Sequence, residues 1–168
     1  MWHQIQGKFA RKKARLNVVR KMIELGISVD NKHKLKVGEM SVNDSALAEA
    51  SHVDRRVVRN TVNQILSDPE LKVIFTHIIP MGTSLVEIAD KIGYKVLVVN
   101  VADPLKVGVI SSISSILSDY DVIICQAIAD DPNYTPDVKL TFVVAGKIPP
   151  EAIGKIQSIS WVESITLK

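Results

Sequence analysis

Three arginines fall within five positions of the stretch "DRRVVRNTVNQIL", at residues 55, 56 and 59, and asparagines follow at 60 and 63. Arginine carries a rigid fork of donors and asparagine a paired donor and acceptor. Grouped on one surface, these residue types suit bidentate recognition of guanine and adenine edges in a major groove. Helical spacing supports that grouping. Val57, Val58, Thr61, Val62, Ile65 and Leu66 recur at three and four and make one buried face, leaving Arg55, Arg56, Arg59, Asn60 and Asn63 on the other. The same residues also fit a solvated helix face with Arg55 and Arg59 paired to carboxylates such as Asp54, and both readings stand at this point.

No other constellation suggests chemistry. His3, His33, His52 and His77 show no HExxH or other close ligand spacing, and the lone Cys125 excludes a CxxC site. Neither GxxxxGK[ST] nor GxGxxG occurs. Ser111, Ser112, Ser114 and Ser115 fit the gaps of an amphipathic helix. Asp130 and Asp131 lack a third nearby carboxylate to make a metal site. Cys125 sits in an apolar strand-like run and is expected to be a buried structural thiol. His77 is read as a packing or edge residue of a strand. The chain is therefore expected to be no enzyme, with no catalytic residue, no metal and no cofactor.

The elements that would carry the arginines are legible. Asn43 or Asp44 can cap a short helix over "SALAEAS", His52 and Val53 form a turn, and Asp54 can cap a second helix running to about Leu66. A capped helix, a tight turn and a second helix with arginine and asparagine outward make a helix-turn-helix pattern. His52 stands where such turns usually carry glycine, so a left-handed backbone is expected there. Upstream, Trp2, Ile5, Phe9, Leu16, Val19 and Ile23 form a stripe on one long helix over residues 2–25, with Gly26 as its stop. Residues 27–42 are polar and turn-rich, with a short strand expected at Leu35 to Val37.

Charge agrees with this division. Residues 1–70 carry 13 Lys and Arg against 8 Asp and Glu, a balance of +5, and residues 71–168 carry 8 against 10, a balance of −2, which together give the net +3. Such asymmetry points to a polyanionic partner or to a solvated basic face. No run of about 18 uncharged apolar residues is present, and the first 15 residues lack the apolar core of a signal peptide. The expectation is a cytoplasmic protein without a membrane partner.

After Pro69 the composition shifts to that of an α/β layer. "LKVIFTHIIP" reads as a strand and "TSLVEIADKIG" as a short helix, together a connecting β-α unit. From Lys95 the order is strand, loop "DPLKVG", helix "VISSISSILSDY", strand "DVIICQAIAD", turn-rich "DPNYTPDV", strand "KLTFVVAG", a helix from near Pro150, and strand "VESITL". This βαββαβ order predicts a ferredoxin-like sandwich of four strands under two helices. The fold class is α+β, in three parts: residues 1–70, helical and helix-turn-helix-like; 71–94, the β-α connector; and 95–168, the sandwich.

The βαββαβ unit, with an Asp-Pro and then a glycine between its first strand and first helix, resembles an ACT domain, a small-molecule sensor module most often used for amino acids. Joined to the upstream "DSALAEASHVDRRVV", it resembles archaeal ACT-domain regulators of amino-acid metabolism over nearly the whole chain. Typical ACT domains read Asp, a variable residue, Pro and Gly in this loop. Here Asp103 and Gly108 match the ends, Val107 replaces the proline, and two extra residues lengthen the loop. The resemblance implies an amino-acid effector and a homodimer or higher oligomer that binds ligand at its interface.

A glycine entering a helix lets backbone approach a bound carboxylate, and the exposed N–H groups of the first turn favour its charge. Asp103 can accept from the ligand's ammonium group. Equally, Asp103 can cap the turn and Gly108 simply permit it. The expected ligand site is Asp103, Lys106, Val107, Gly108 and Val109. Two functions fit these expectations: an amino-acid-responsive transcriptional regulator that binds DNA through Arg55, Arg56, Arg59, Asn60 and Asn63, or an allosteric subunit docking on a biosynthetic enzyme such as homoserine dehydrogenase.

Overall fold

In the computed structural model, which describes residues 2–132, 134–135 and 137–168, the single helix expected over residues 2–25 is two, α1 (Trp2–Phe9) and α2 (Lys13–Leu25). The break comes after Gly7, a poor helix former, and coincides with the basic run Arg11 to Lys13, where Lys12 leaves the helical region at φ −133° and ψ 64°. Its consequence is a change of phase. α1 buries Trp2, Ile5 and Phe9, whereas α2 buries Val18, Val19 and Met22, so Leu16 and Ile23 are only half-buried. Gly26 stops α2 in the left-handed region, as its position predicts.

Residues 27–42 hold more order than the sequence suggests: β1 (Ile27–Val29), β2 (Leu35–Val37) and β3 (Met40–Val42) form an antiparallel sheet in that order. The β1–β2 turn is built by Asp30, whose Oδ1 accepts from Lys32 N at 2.8 Å and Lys34 N at 2.9 Å, with His33 at φ 63°. Strands of three residues are too short for alternation to be read.

α3 (Asp44–Ala50) and α4 (Arg55–Ser67) match the expected bounds closely. The strand expected in "LKVIFTHIIP" is instead a helix, α5 (Pro69–His77), so no β-α unit precedes the sandwich. Asp68 accepts from the backbone of Glu70 and Leu71, proline occupies the first turn, and Glu70 supplies an acid there. These start signals outweigh the strand preference of Val73, Ile74 and Thr76. Leu71 and Phe75, four apart, are buried while Val73 is exposed. His77 therefore ends a helix, exposed, with Nδ1 2.8 Å from Val73 O.

The chain divides into two compact units, Met1–Gly82 and Thr83–Lys168. In the second, β4 (Tyr94–Val101), α6 (Val109–Asp119), β5 (Ile123–Ala129), β6 (Lys139–Ala145), α7 (Pro150–Gln157) and β7 (Val162–Leu167) come in the expected order. The antiparallel sheet runs β5-β6-β4-β7. One face of it, with Leu97, Val99, Leu140, Phe142 and Val144, forms a core with Ile113 and Leu117 of α6 and Ala152 and Ile156 of α7. Burial of the Val, Leu, Ile and Phe side chains among them is worth about 1.5–3 kcal/mol each, enough to fix which face the helices take.

The other face carries Val96 and Val143 against Ala89, with Leu85 and Val86. The helix expected over residues 83–93 is a series of turns ending in one 3-10 turn at Asp90–Ile92. Gln126 anchors it, accepting from Leu85 N at 2.9 Å and donating to Thr83 O at 2.8 Å. Gln126 reaches that face because β5 shifts register. Ile124 lies opposite Val144 and Gln126 opposite Val143, which leaves Cys125 as the extra residue of a bulge. Cys125 is consequently exposed rather than the buried thiol expected from its apolar neighbours.

Candidate nucleic-acid interface and ligand cleft

The two helices that carry the basic cluster are each fixed by a side-chain cap. Asn43 Oδ1 accepts from Ala46 N at 2.7 Å, and Asp54 Oδ1 from Arg56 N at 2.7 Å. Between them His52 adopts φ 53°, the left-handed backbone its position predicts, and Val53 N donates to Ala48 O. α4 turns Val58, Thr61, Val62 and Ile65 inward. Arg55, Arg56, Arg59, Asn60 and Asn63 are all exposed, as the spacing predicts.

Their partners differ from expectation. Asp54 is occupied as a cap, and the carboxylate that meets the arginines is Asp44 of α3. Arg59 donates to Asp44 Oδ2 from Nε at 2.9 Å and lies 2.8 Å away through Nη2, while Arg55 Nε stands 3.9 Å off. Asn63 Oδ1 lies 3.0 Å from His33 Nδ1 on the β1–β2 turn. Arg56 and Asn60 make no side-chain hydrogen bond or ion pair among the described residues, which leaves their donors available to a ligand. The exposed row is thus partly organised: the Arg59 fork is held, Arg55 stands at the edge of ion-pair distance from the same carboxylate, the Asn63 amide is engaged, and Arg56 and Asn60 are uncommitted.

Part of the amino-terminal charge is spent internally. Lys8 Nζ lies 2.6 Å from Asp68 Oδ2 and 2.7 Å from Glu70, and Arg15 donates to Gln64 Oε1 at 2.7 Å. The Lys8 ammonium holds the Asp68 carboxyl below the ordinary carboxylate range, helped by Leu71 N, and the Lys8 ammonium is in turn held above its ordinary range by Asp68.

In the second unit a cleft of ≈ 460 Å³ opens beside the start of α6. Lys106, Gly108 and Val109 of the expected site line it, together with Ile110, Asp130 and Lys139. Gly108 takes φ 92° and supplies no side-chain cap, so the first N–H groups of α6 have no side-chain acceptor there. Asp103 is not in the lining. Its Oδ1 accepts from Leu105 N at 3.0 Å, the turn-capping role. Val107 is 98% exposed and also outside the lining. Lys106 Nζ stands 5.8 Å from the Trp161 ring.

Asp44, His33, Asp130 and Lys139 are the residues that motif reading misses. In sequence Asp44 reads only as a cap candidate, and Asp130 meets Lys139 through the β5–β6 register, where Asp130 Oδ2 accepts from Lys139 N at 3.1 Å. Among the described residues no three His, Cys, Asp or Glu side chains gather to hold a metal ion, and no helix is long and apolar enough to cross a membrane.

No family model and no curated protein matches the sequence. Two solved structures to which the chain is similar are a transcriptional regulatory protein of Pyrococcus furiosus, a member of the ASNC family, and the protein PH0061. The first is 19% identical, with 92% of this chain and 85% of that chain covered. The second is 16% identical, with 93% and 89% covered. Both superpose with a TM-score of 0.28.

Proposed function

We propose that the chain is a transcriptional regulator that binds duplex DNA through α4 and a small amino acid through the second unit. The observation that carries the reading is the uncommitted pair Arg56 and Asn60 beside the held fork of Arg59, all exposed on a helix whose start is fixed by Asp54. Side chains near the start of the second helix are those that reach base edges in helix-turn-helix proteins. The ACT-like reading of the second unit is supported by the strand order β5-β6-β4-β7, two helices on one face, and a glycine at the entry of α6. In that reading a ligand carboxylate sits at the first N–H groups of α6. Its ammonium goes to Asp130, which lines the cleft, rather than to Asp103, which lies outside the lining. Free edges on β5 and β7 favour a dimer or higher oligomer.

The test replaces Arg55, Arg56 and Arg59 together by alanine and measures binding to duplex DNA over a range of salt, with and without each of the twenty amino acids. Each lost bidentate base contact costs about 1–3 kcal/mol, and each lost phosphate contact flattens the salt dependence. An effector at one hundred times its dissociation constant raises stability by about 2.7 kcal/mol. Unchanged binding in the triple variant removes α4 from the interface. Absence of DNA binding by the wild type would favour the enzyme-docking role instead.

A further inference from the structure

We propose that the β1–β2 turn is a second DNA contact, a basic finger that grips the phosphate backbone beside α4. The proposal rests on the reading of α4 as a DNA-facing helix, and adds to it a site on a different element. Residues 30–36, "DNKHKLK", carry three lysines against one aspartate, a balance of +2 with histidine neutral. Asp30 is consumed within the turn: its Oδ1 takes the backbone of Lys32 and Lys34, and its Oδ2 lies 3.6 Å from Lys36. The Lys32 and Lys34 side chains are exposed, with no ion-pair partner among the described residues.

What joins this turn to α4 is His33. Its left-handed backbone, φ 63°, places it at the tip, and its Nδ1 meets Asn63 Oδ1 at 3.0 Å on the outward face of α4. Lys32 and Lys34, the two neighbours of His33, are therefore carried on the turn that meets the outward face of α4 at Asn63, one helical turn beyond Asn60. Lysine ammonium groups meet phosphate as point charges and carry no base information. A helix in the major groove brings the adjoining backbone strands to its sides, where such charges act. The expected contribution is affinity and salt dependence, without sequence preference.

The experiment uses the full chain and a mixed-sequence duplex oligonucleotide, measured by fluorescence anisotropy over a salt series. Four proteins are compared with wild type: Lys32→Ala with Lys34→Ala; His33→Gly, which keeps the backbone but removes the Asn63 contact; Lys91→Ala with Lys168→Ala, the same charge loss in the second unit; and the triple arginine variant. The turn variant is expected to reduce the slope of log K against log salt by roughly 1.8, two contacts at about 0.9 each. His33→Gly is expected to give a smaller loss and the second-unit pair none. Equal losses in the two lysine pairs would make the effect one of net charge and overturn the proposal. An unchanged turn variant beside a crippled arginine variant would overturn it while leaving α4 in place. If neither variant loses binding, the α4 reading fails and the finger with it.

Discussion

Arg59 and Asp44 are joined across the helix pair, Nε to Oδ2 at 2.9 Å and Nη2 to the same oxygen at 2.8 Å, although the Asp44 side chain is only 14% exposed and that of Arg59 is 59% exposed. The carboxylate thus reaches out from the packed side of α3 to hold a guanidinium at the surface. It braces α3 against α4 and at the same time occupies donors that a phosphate or base would use.

The first prediction comes from that competition. Asp44→Asn keeps the side-chain size but removes the charge, releasing Arg59 and the more distant Arg55. Binding to duplex DNA of any sequence is expected to tighten, with a steeper salt dependence, because two guanidinium groups become free to displace counterions. The stability cost is roughly 0.5–1 kcal/mol, since the guanidinium side of the pair is exposed to solvent and the acid also sits in the first turn of α3. Salt-titrated anisotropy and urea unfolding of the same variant measure the two effects. Weaker binding would mean that Asp44 orients Arg59 for contact rather than withholding it.

The pair Lys8 and Asp68 contributes to the pH dependence of the first unit at both ends of the scale. Asp68 has a depressed carboxyl, through Lys8 first and Leu71 N second, so its contribution is present above the ordinary value of 3.8 and is lost as pH falls through the lowered one. Lys8 is raised, through Asp68 first, so its contribution is complete below 10.5 and is lost as pH climbs through the higher value. Asp68→Asn retains a capping oxygen for α5 while removing the charge, and should flatten the fall of Tm on the acid side. Lys8→Met should flatten the alkaline side and weaken the acid response less than Asp68→Asn does, because Glu70 N and Leu71 N still hold the carboxylate. Melting curves from pH 2 to 12 in the three proteins check this, and identical acid limbs would refute it.

Sequence patterning reaches furthest where elements are long and capped. α4 and the βαββαβ order are legible because apolar periodicity, Asp54 and the glycine-bearing loops agree with one another. It fails where local signals conflict. "LKVIFTHIIP" is rich in β-branched residues, yet Asp68, Pro69 and Glu70 start a helix, and a cap is a stronger local instruction than strand preference. Cys125 escapes for a different reason: a one-residue bulge reverses which face each later side chain of β5 takes, and nothing in the composition of "IICQAIA" announces it. The candidate site divides likewise. The outward face of α4 is set by spacing along one helix, whereas Asp44, His33, Asp130 and Lys139 join it or the cleft only through tertiary pairing.

Gly26 and Gly38 give a final, internally controlled prediction. Both lie in the left-handed region, at φ 62° and 57°, where a β-carbon alone costs about 1–2 kcal/mol. Around Gly38 nothing lies within 4 Å of an added β-carbon, so Gly38→Ala should cost only that strain. At Gly26 the added carbon would collide with the backbone of Ile79 and Pro80, which cannot yield as a flexible side chain would. This glycine is where the end of α2 passes beneath the chain leaving α5, two elements that each pack against β1. Gly26→Ala must therefore either force the 79–80 backbone away or unseat β1, and is expected to lower the urea midpoint well beyond the loss in Gly38→Ala. Equal midpoints in the two variants would show that residues 79 and 80 do not press on Gly26 in solution.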